Sequence, residues 1–336
     1  MLSTGKLGTG QESYYLEKVA DGVEDYYSGE AEAEGYWVGS LPTLLGLDRK
    51  VDGDQLTAML TGVNPATGEP LALRAVGGRG PVPGFDLTFS APKSVSLTWA
   101  LGGVGVGAEV AAAHKASVEA ALGYLERSAT FTRRGGKAEF VPGWGLLAAA
   151  YPHRSSRAGD PQLHTHVLVA NATLGPDGRW TRLYHPALYE HAKTAGYLYE
   201  AHLRDELTRR LGVRWQEVRN GIAEIEGFSA EELRAFSTRR AEILAAAGEG
   251  ASARELQIAT LTTRRAKDRD LTDESLREMW RAKAAEIGLT RETIGARLGH
   301  DAPGHTVLTT DRIGRSATEH VSHFDRRDAI RAVADN

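Results

Sequence analysis

A chain of 336 residues can bury a full hydrophobic core and has room for one large or two modest domains. With 41% hydrophobic and 25% charged residues its composition is that of an ordinary soluble protein, and the lack of cysteine excludes disulfides, zinc ribbons and thiolate chemistry. The net charge of −4 argues against general polyanion affinity, but the sum hides an acidic beginning and later basic clusters, so local charge decides.

Residues Met1 to Gly10 hold no apolar signal-peptide core, and no run of about eighteen apolar residues occurs, so a cytoplasmic protein without membrane insertion is expected. Gln11 to Gly35 is acidic and carries two tyrosine pairs, Tyr14-Tyr15 and Tyr26-Tyr27. The pattern predicts a helix from about Gln11, weakened at Asp21-Gly22 and resumed before Tyr26. Tyrosines at helical spacing serve as amphipathic core contacts, but a phenol is also a nucleophile once a base or metal eases its ionisation, and both readings stand.

Leu41, Leu44, Leu45, Leu47 and Val51 form a small apolar patch, followed by helical spacing at Leu56, Met59 and Leu60. Thr61 to Pro83 alternates loosely and is broken by Asn64-Pro65, Thr67-Gly68 and Gly77-Gly78, as in a projecting hairpin. Its arginines, Arg74 and Arg79, read on their own as members of a solvated loop, although such a ribbon can enter a DNA major groove.

In Gly84 to Ser90, Phe85, Leu87 and Phe89 share one face of a predicted strand and Asp86, Thr88 and Ser90 the other. A carboxylate there needs a partner, and a metal-bound histidine offers its second ring nitrogen. Ser90 to Ser96, with Lys93, reads as a strand-to-helix junction; such a setting can hold phosphate, and a simple turn explains it nearly as well. Ala108 to Ala129 is a predicted helix, followed by a basic turn with Arg127, Arg133, Arg134 and Lys137 that lacks the form of a P-loop.

Gly143 to Tyr151 predicts a strand leading to His153, and His153 to Pro161 is a polar stretch ending in turn residues. It leads into Gln162-Leu163-His164-Thr165-His166-Val167-Leu168-Val169, where residues i and i+2 of a strand point to one face. His164 and His166 can therefore address one ion, Thr165, Val167 and Val169 suit packing under helices, and His153 can fold back as a third imidazole. Three neutral histidines leave a divalent cation with open positions, as a Lewis-acid site requires.

Gly175-Pro176-Asp177-Gly178 predicts a turn joining the histidine strand to Trp180-Tyr184, hence an antiparallel sheet. Leu188 to Leu211 is a predicted helix stopped by Gly212, and Val213 to Glu226 a further hairpin. From the capping-box form at Ser229 to Glu232 the chain becomes almost wholly helical, with basic clusters at Arg239-Arg240 and Arg264 to Arg269.

Together, Ser13-Tyr14-Tyr15 with Asp25-Tyr26-Tyr27, the stretch Phe85 to Ser96, and His153 with Ser156-Arg157 and Asp160 to His166 resemble the TrwC/TraI-type (MobF) conjugative relaxases, whose nuclease domain is of the HUH endonuclease class. The resemblance covers nearly the whole chain. It implies an α/β (α+β) fold: an antiparallel-sheet palm covered by helices over residues 1–228, a helical fingers subdomain over 229–310 closing on single-stranded DNA, and a 311–336 linker toward an absent C-terminal helicase domain.

The implied activity is metal-dependent, site- and strand-specific nicking at an origin of transfer. Tyr14 would attack the phosphorus, leaving a 5′-phosphotyrosyl bond and a free 3′-hydroxyl that can be resealed. His153, His164 and His166 would hold one divalent cation, Mg2+ or Mn2+ ahead of Zn2+ or Ni2+. Asp86 would orient a ligand histidine and help take the phenolic proton. Arg157 and Lys93 would contact single-stranded DNA, and the hairpin with Arg74 and Arg79 the duplex or hairpin arm of the origin. Conjugation machinery is the implied partner.

One departure from the family is that the tyrosine pairs lie about one helical turn further apart. Tyr26 could act as a second nucleophile, with Tyr15 and Tyr27 as alternates, or these residues could pack or stack on bases. A rolling-circle replication initiator shares the chemistry. A three-histidine metallohydrolase acting through metal-bound hydroxide, or a DNA-binding module with a structural metal, would share the histidines alone.

Overall fold

The computed structural model describes residues 1–8, 35–71, 82–134, 139–248, 250–263, 273–301, 309–318 and 324–335. At its centre lies strand β7 (Pro161–Ala170), whose alternation of apolar and polar side chains suits a strand with two unlike faces. It pairs with β3 (Gly84–Ser90) on one side and β6 (Ala148–Ser155) on the other, while β1 (Leu2–Lys6) and β2 (Tyr36–Val38) form the edges. The order is β1-β3-β7-β6-β2, and each neighbouring pair is antiparallel.

On one face, Phe85, Leu87, Phe89, Leu163, Val167 and Val169 pack under two long helices, α4 (Val104–Ala129) and α5 (His185–Leu211). Leu122, Leu125, Leu203 and Leu207 are among the residues these helices bury there, at the helical spacing expected of an amphipathic face. Gly212 adopts a left-handed conformation (φ 60°) at the end of α5, which a residue with a β-carbon enters less readily, and so stops the helix. On the opposite face, Leu168, Ala170, Ala149 and Tyr151 pack beneath α1 (Ser40–Leu44) and α2 (Gly53–Thr61) through Leu41, Leu56, Met59 and Leu60. This apolar cover reaches Tyr151 and Leu168. The next outward positions on the same face are His153 and His166.

One expectation is corrected here. The turn at 175–178 forms, but it joins β8 (Thr173–Leu174) to β9 (Trp180–Thr181) in a separate ladder, and the histidine strand is central and takes no part in it. The reason is Asn171, whose backbone N–H and side-chain amide donate to the carbonyls of Pro83 and Val82, so that the end of β7 is fastened to the start of β3. The stretch expected as a 311–336 linker carries α11 (Thr310–Thr318) and α12 (Arg326–Ala334). Asp325 starts α12 with a capping box, Ala332 and Ala334 are buried, and Arg204 of α5 donates to the Ala334 carbonyl.

Between these lie α3 (Lys93–Leu101), packed under β7, and the C-terminal helices α6 (Ala230–Ala235), α7 (Thr238–Ala247), α8 (Ala253–Thr262), α9 (Asp273–Glu286) and α10 (Arg291–Gly295). β4 (Phe131–Arg134) and β5 (Glu139–Pro142) form a second small ladder. The expected boundary at 228/229 coincides with a capped helix start at Ser229. It does not separate two cores: Leu276, Trp280, Ala284 and Ile294 join the core beneath α3, and the Trp280 ring meets Trp99 edge-on at 6.0 Å. Among the described residues no helix is long and apolar enough to cross a membrane.

Candidate metal centre

The three histidines meet because a hairpin and a strand period act together. Ser156 to Asp160 reverses the chain: Ser156 N–H donates to the Asp160 carbonyl at 2.8 Å, and Gly159 takes a positive φ of 79°. This sets His153 directly across from His164, with a register shift just after it, between His153 and Ser155. The pleat then carries His166 to the same face two residues on. Ring centroids lie 5.1 Å apart for His153 and His164, 4.8 Å for His153 and His166, and 5.2 Å for His164 and His166.

One nitrogen from each ring falls within 4.8 Å of the others. Nitrogens bound at about 2.1 Å to one cation lie at most about 4.2 Å apart, so small rotations of rings already in place would close the set. His153 is buried, and the other two are half-buried.

Hydrogen bonds hold the rings from behind. Asp86 lies on β3, the strand beside this row, and its Oδ2 is 2.8 Å from His166 Nδ1. Thr88 Oγ1 is 3.0 Å from the same nitrogen and donates to Asp86 Oδ1 at 3.1 Å. His164 Nδ1 sits 2.8 Å from the Gln162 carbonyl. With Nδ1 engaged in both rings, Nε2 is the nitrogen through which each would ligate, the arrangement that fixes a metal-binding tautomer. Three imidazoles backed by a carboxylate and a carbonyl therefore fit one divalent cation with positions left over for a substrate.

Of the other residues singled out from the sequence, Arg157 is half-buried in the turn of the histidine hairpin. The Lys93 ammonium donates to the Pro161 carbonyl at 2.7 Å, which ties the start of α3 to the start of β7. Burial pulls its pKa down to about 8, against the opposing pull of Asp160 and Glu224. Tyr14, Tyr15, Tyr26, Tyr27, Arg74 and Arg79 lie outside the described residues.

The roles of two supporting groups were not legible in the sequence. Asp160 is 4% exposed and accepts from Thr238 N–H at 2.8 Å, Thr238 Oγ1 at 3.1 Å and Lys283 at 3.3 Å, while Trp280 Nε1 donates to the adjacent Gly159 carbonyl at 2.6 Å. The histidine hairpin is thus clasped by the C-terminal helices. His114 of α4 lies behind β7, bonded to Thr165. Its only sequence signal was a polar residue on the inward face of a helix.

The chain matches the family model described as TrwC relaxase over residues 9–287. It is 35% identical over 276 residues to the "Multifunctional conjugation protein TraI" of Escherichia coli, a match covering 79% of this chain. The chain spans about 15% of the length of that relative. Among solved structures, the metal-bound conjugative relaxase TrwC in complex with oriT DNA superposes with a TM-score of 0.76 at 30% identity, over 87% of this chain and 100% of that one. TrwC complexed with a 27-mer DNA comprising the recognition hairpin and the cleavage site gives a TM-score of 0.74 at 29% identity, with the same coverage.

Proposed function

Because the chain belongs to the TrwC relaxase family, we propose that it is a conjugative relaxase: a site- and strand-specific nickase that cuts origin-of-transfer DNA by tyrosine transesterification. The observation that carries the reading is the convergence of His153, His164 and His166 with Asp86 on His166 Nδ1.

These three imidazoles would hold the cation, which when bound supplies positive charge against the scissile phosphate. The expectation put Mg2+ or Mn2+ ahead of Zn2+ or Ni2+; an all-imidazole donor set departs from it, suiting Zn2+ or Ni2+ and, with water completing the shell, Mn2+ better than Mg2+. Asp86 and Thr88 keep the His166 ring turned to the site, and the Gln162 carbonyl does the same for His164. Both Asp86 oxygens lie at or near 3 Å from His166, which supports orientation as its main role.

Tyr14 is the proposed nucleophile. Its phenolic oxygen, on losing its proton, bonds to phosphorus as the bond to the 3′ oxygen breaks. That oxygen takes up a proton to become the free 3′-hydroxyl, and the 5′ phosphate stays on the tyrosine. One phosphodiester replaces another, so attack by the 3′-hydroxyl reverses the step without ATP. Tyr26 is proposed as a second nucleophile for strand transfer, with Tyr15 and Tyr27 as alternates.

Arg157, in the histidine hairpin, would meet phosphate near the cut. Lys93, committed to the Pro161 carbonyl, would act on DNA by holding that strand end. Arg74 and Arg79 would read the duplex arm, and helices of the 229–310 part would close over the single strand. A helicase region elsewhere in a longer protein and the conjugation machinery are the proposed partners.

The test is incubation with single-stranded oligonucleotides spanning candidate origins, with Mn2+ or EDTA, followed by analysis of the ends. A free 3′-hydroxyl with a blocked 5′ end is expected. A free 5′-phosphate would favour hydrolysis by metal-bound hydroxide and overturn the tyrosine reading.

A further inference from the structure

His114 is 3% exposed, and both of its ring nitrogens are engaged: Nδ1 at 2.8 Å from the Tyr199 hydroxyl and Nε2 at 2.8 Å from Thr165 Oγ1. Thr165 is the residue between His164 and His166. Because side chains alternate, it points away from the metal face into the layer of α4 and α5. Tyr199 comes from α5, is fully buried, and packs on Phe89 at 5.4 Å; Phe89 is in turn the cross-strand partner of Thr165.

Three aliphatic side chains would fill this space without the cost of burying polar groups. Polar partners that satisfy one another add direction, which apolar packing lacks. The direction here bears on one backbone position, the pleat between two candidate metal ligands. Burial lowers the His114 pKa to about 3, so the ring is neutral at working pH and places no charge behind the site.

We propose that His114 is a positioning residue for the metal centre, holding the backbone between His164 and His166 at the height that lets both imidazoles reach one cation. Thr165 transmits the constraint and Tyr199 fixes the ring. The proposal rests on the metal reading above and adds to it three residues, His114, Thr165 and Tyr199, on the opposite face of the sheet.

The test titrates Mn2+ calorimetrically into the DNA-free protein, wild type and variants, and records thermal unfolding of each in EDTA. Thr165→Val keeps the side-chain shape and removes the hydroxyl. It is expected to weaken Mn2+ binding about tenfold, in line with other groups that orient metal ligands, beside a drop in the melting temperature in EDTA from the His114 nitrogen left without its partner. His114→Gln, which can still reach Thr165 with one amide group, is expected to lose less. Should Thr165→Val fold poorly, Tyr199→Phe, which removes a hydroxyl one step further from the strand, carries the same expectation at smaller size.

Variants that melt lower yet bind Mn2+ as tightly as the wild type would overturn the proposal and leave His114 a packing residue. A wild-type protein that takes up no Mn2+, Zn2+ or Ni2+ would overturn it together with the metal reading, so the two failures are distinguishable.

Discussion

Replacing Asp160 with alanine should cost about 3 kcal/mol of folding stability. Helix α7 begins at Thr238 with no side-chain cap of its own and no acidic residue in its first turn. Asp160, from the distant histidine hairpin, receives the Thr238 N–H at 2.8 Å and so caps the helix from across the chain. Loss of a cap costs about 1 kcal/mol, and a hydrogen bond onto a charged acceptor contributes about 1.5–3 kcal/mol. Lys283 is 40% exposed, so its ion pair with Asp160 adds no more than about 0.5 kcal/mol.

Urea unfolding gives the total, and hydrogen exchange across α7 shows where it falls. The slope of free energy against urea should be unchanged and the midpoint lowered. Asp160→Asn retains an acceptor for Thr238 and should recover about half of the loss. A loss below about 1 kcal/mol, or equal losses for alanine and asparagine, would refute the trans-cap account.

Three further outcomes follow from the same geometry. Asp86→Ala should weaken Mn2+ affinity between about 10- and 100-fold in a calorimetric titration, because His166 loses the carboxylate that orients it. Lys93 has a folded pKa of about 8, below the ordinary 10.5, so the unfolded chain binds a proton there that the folded chain does not. Stability should therefore rise as pH goes from about 8 to 10.5, and Lys93→Met should flatten that rise in urea midpoints measured across the window. His164→Ala should abolish calorimetric Mn2+ uptake, and oligonucleotide cleavage with it, while leaving DNA binding measurable by fluorescence anisotropy.

The parts of the site that were legible in the sequence are those set by local rules. The spacing of His164 and His166 is a strand period, His153 is brought back by a turn signalled by Gly159 and Pro161, and Asp86 sits on the polar side of an alternating strand. The parts that were missed depend on partners far along the chain. Nothing near Asp160 announces that it caps a helix beginning at Thr238, and nothing near His114 announces Thr165 or Tyr199.

The turn at 175–178 was read correctly as a turn but assigned to the wrong strands. A local signal says that the chain reverses, and Asn171 decides with which strand it then pairs. The helix at 326–334 falls in the stretch expected as a linker, and its docking on α5 depends on Arg204, far along the chain, and could not be read locally.

The central claim is covalent chemistry at a tyrosine. The most direct measurement is peptide mass spectrometry of the protein after reaction with a single-stranded oligonucleotide carrying its nick site, compared between wild type and Tyr14→Phe. The account predicts a 5′-phosphodeoxynucleotide adduct on Tyr14 in the wild type and none at that position in the variant. Cleaved DNA without an adduct on any tyrosine would contradict it.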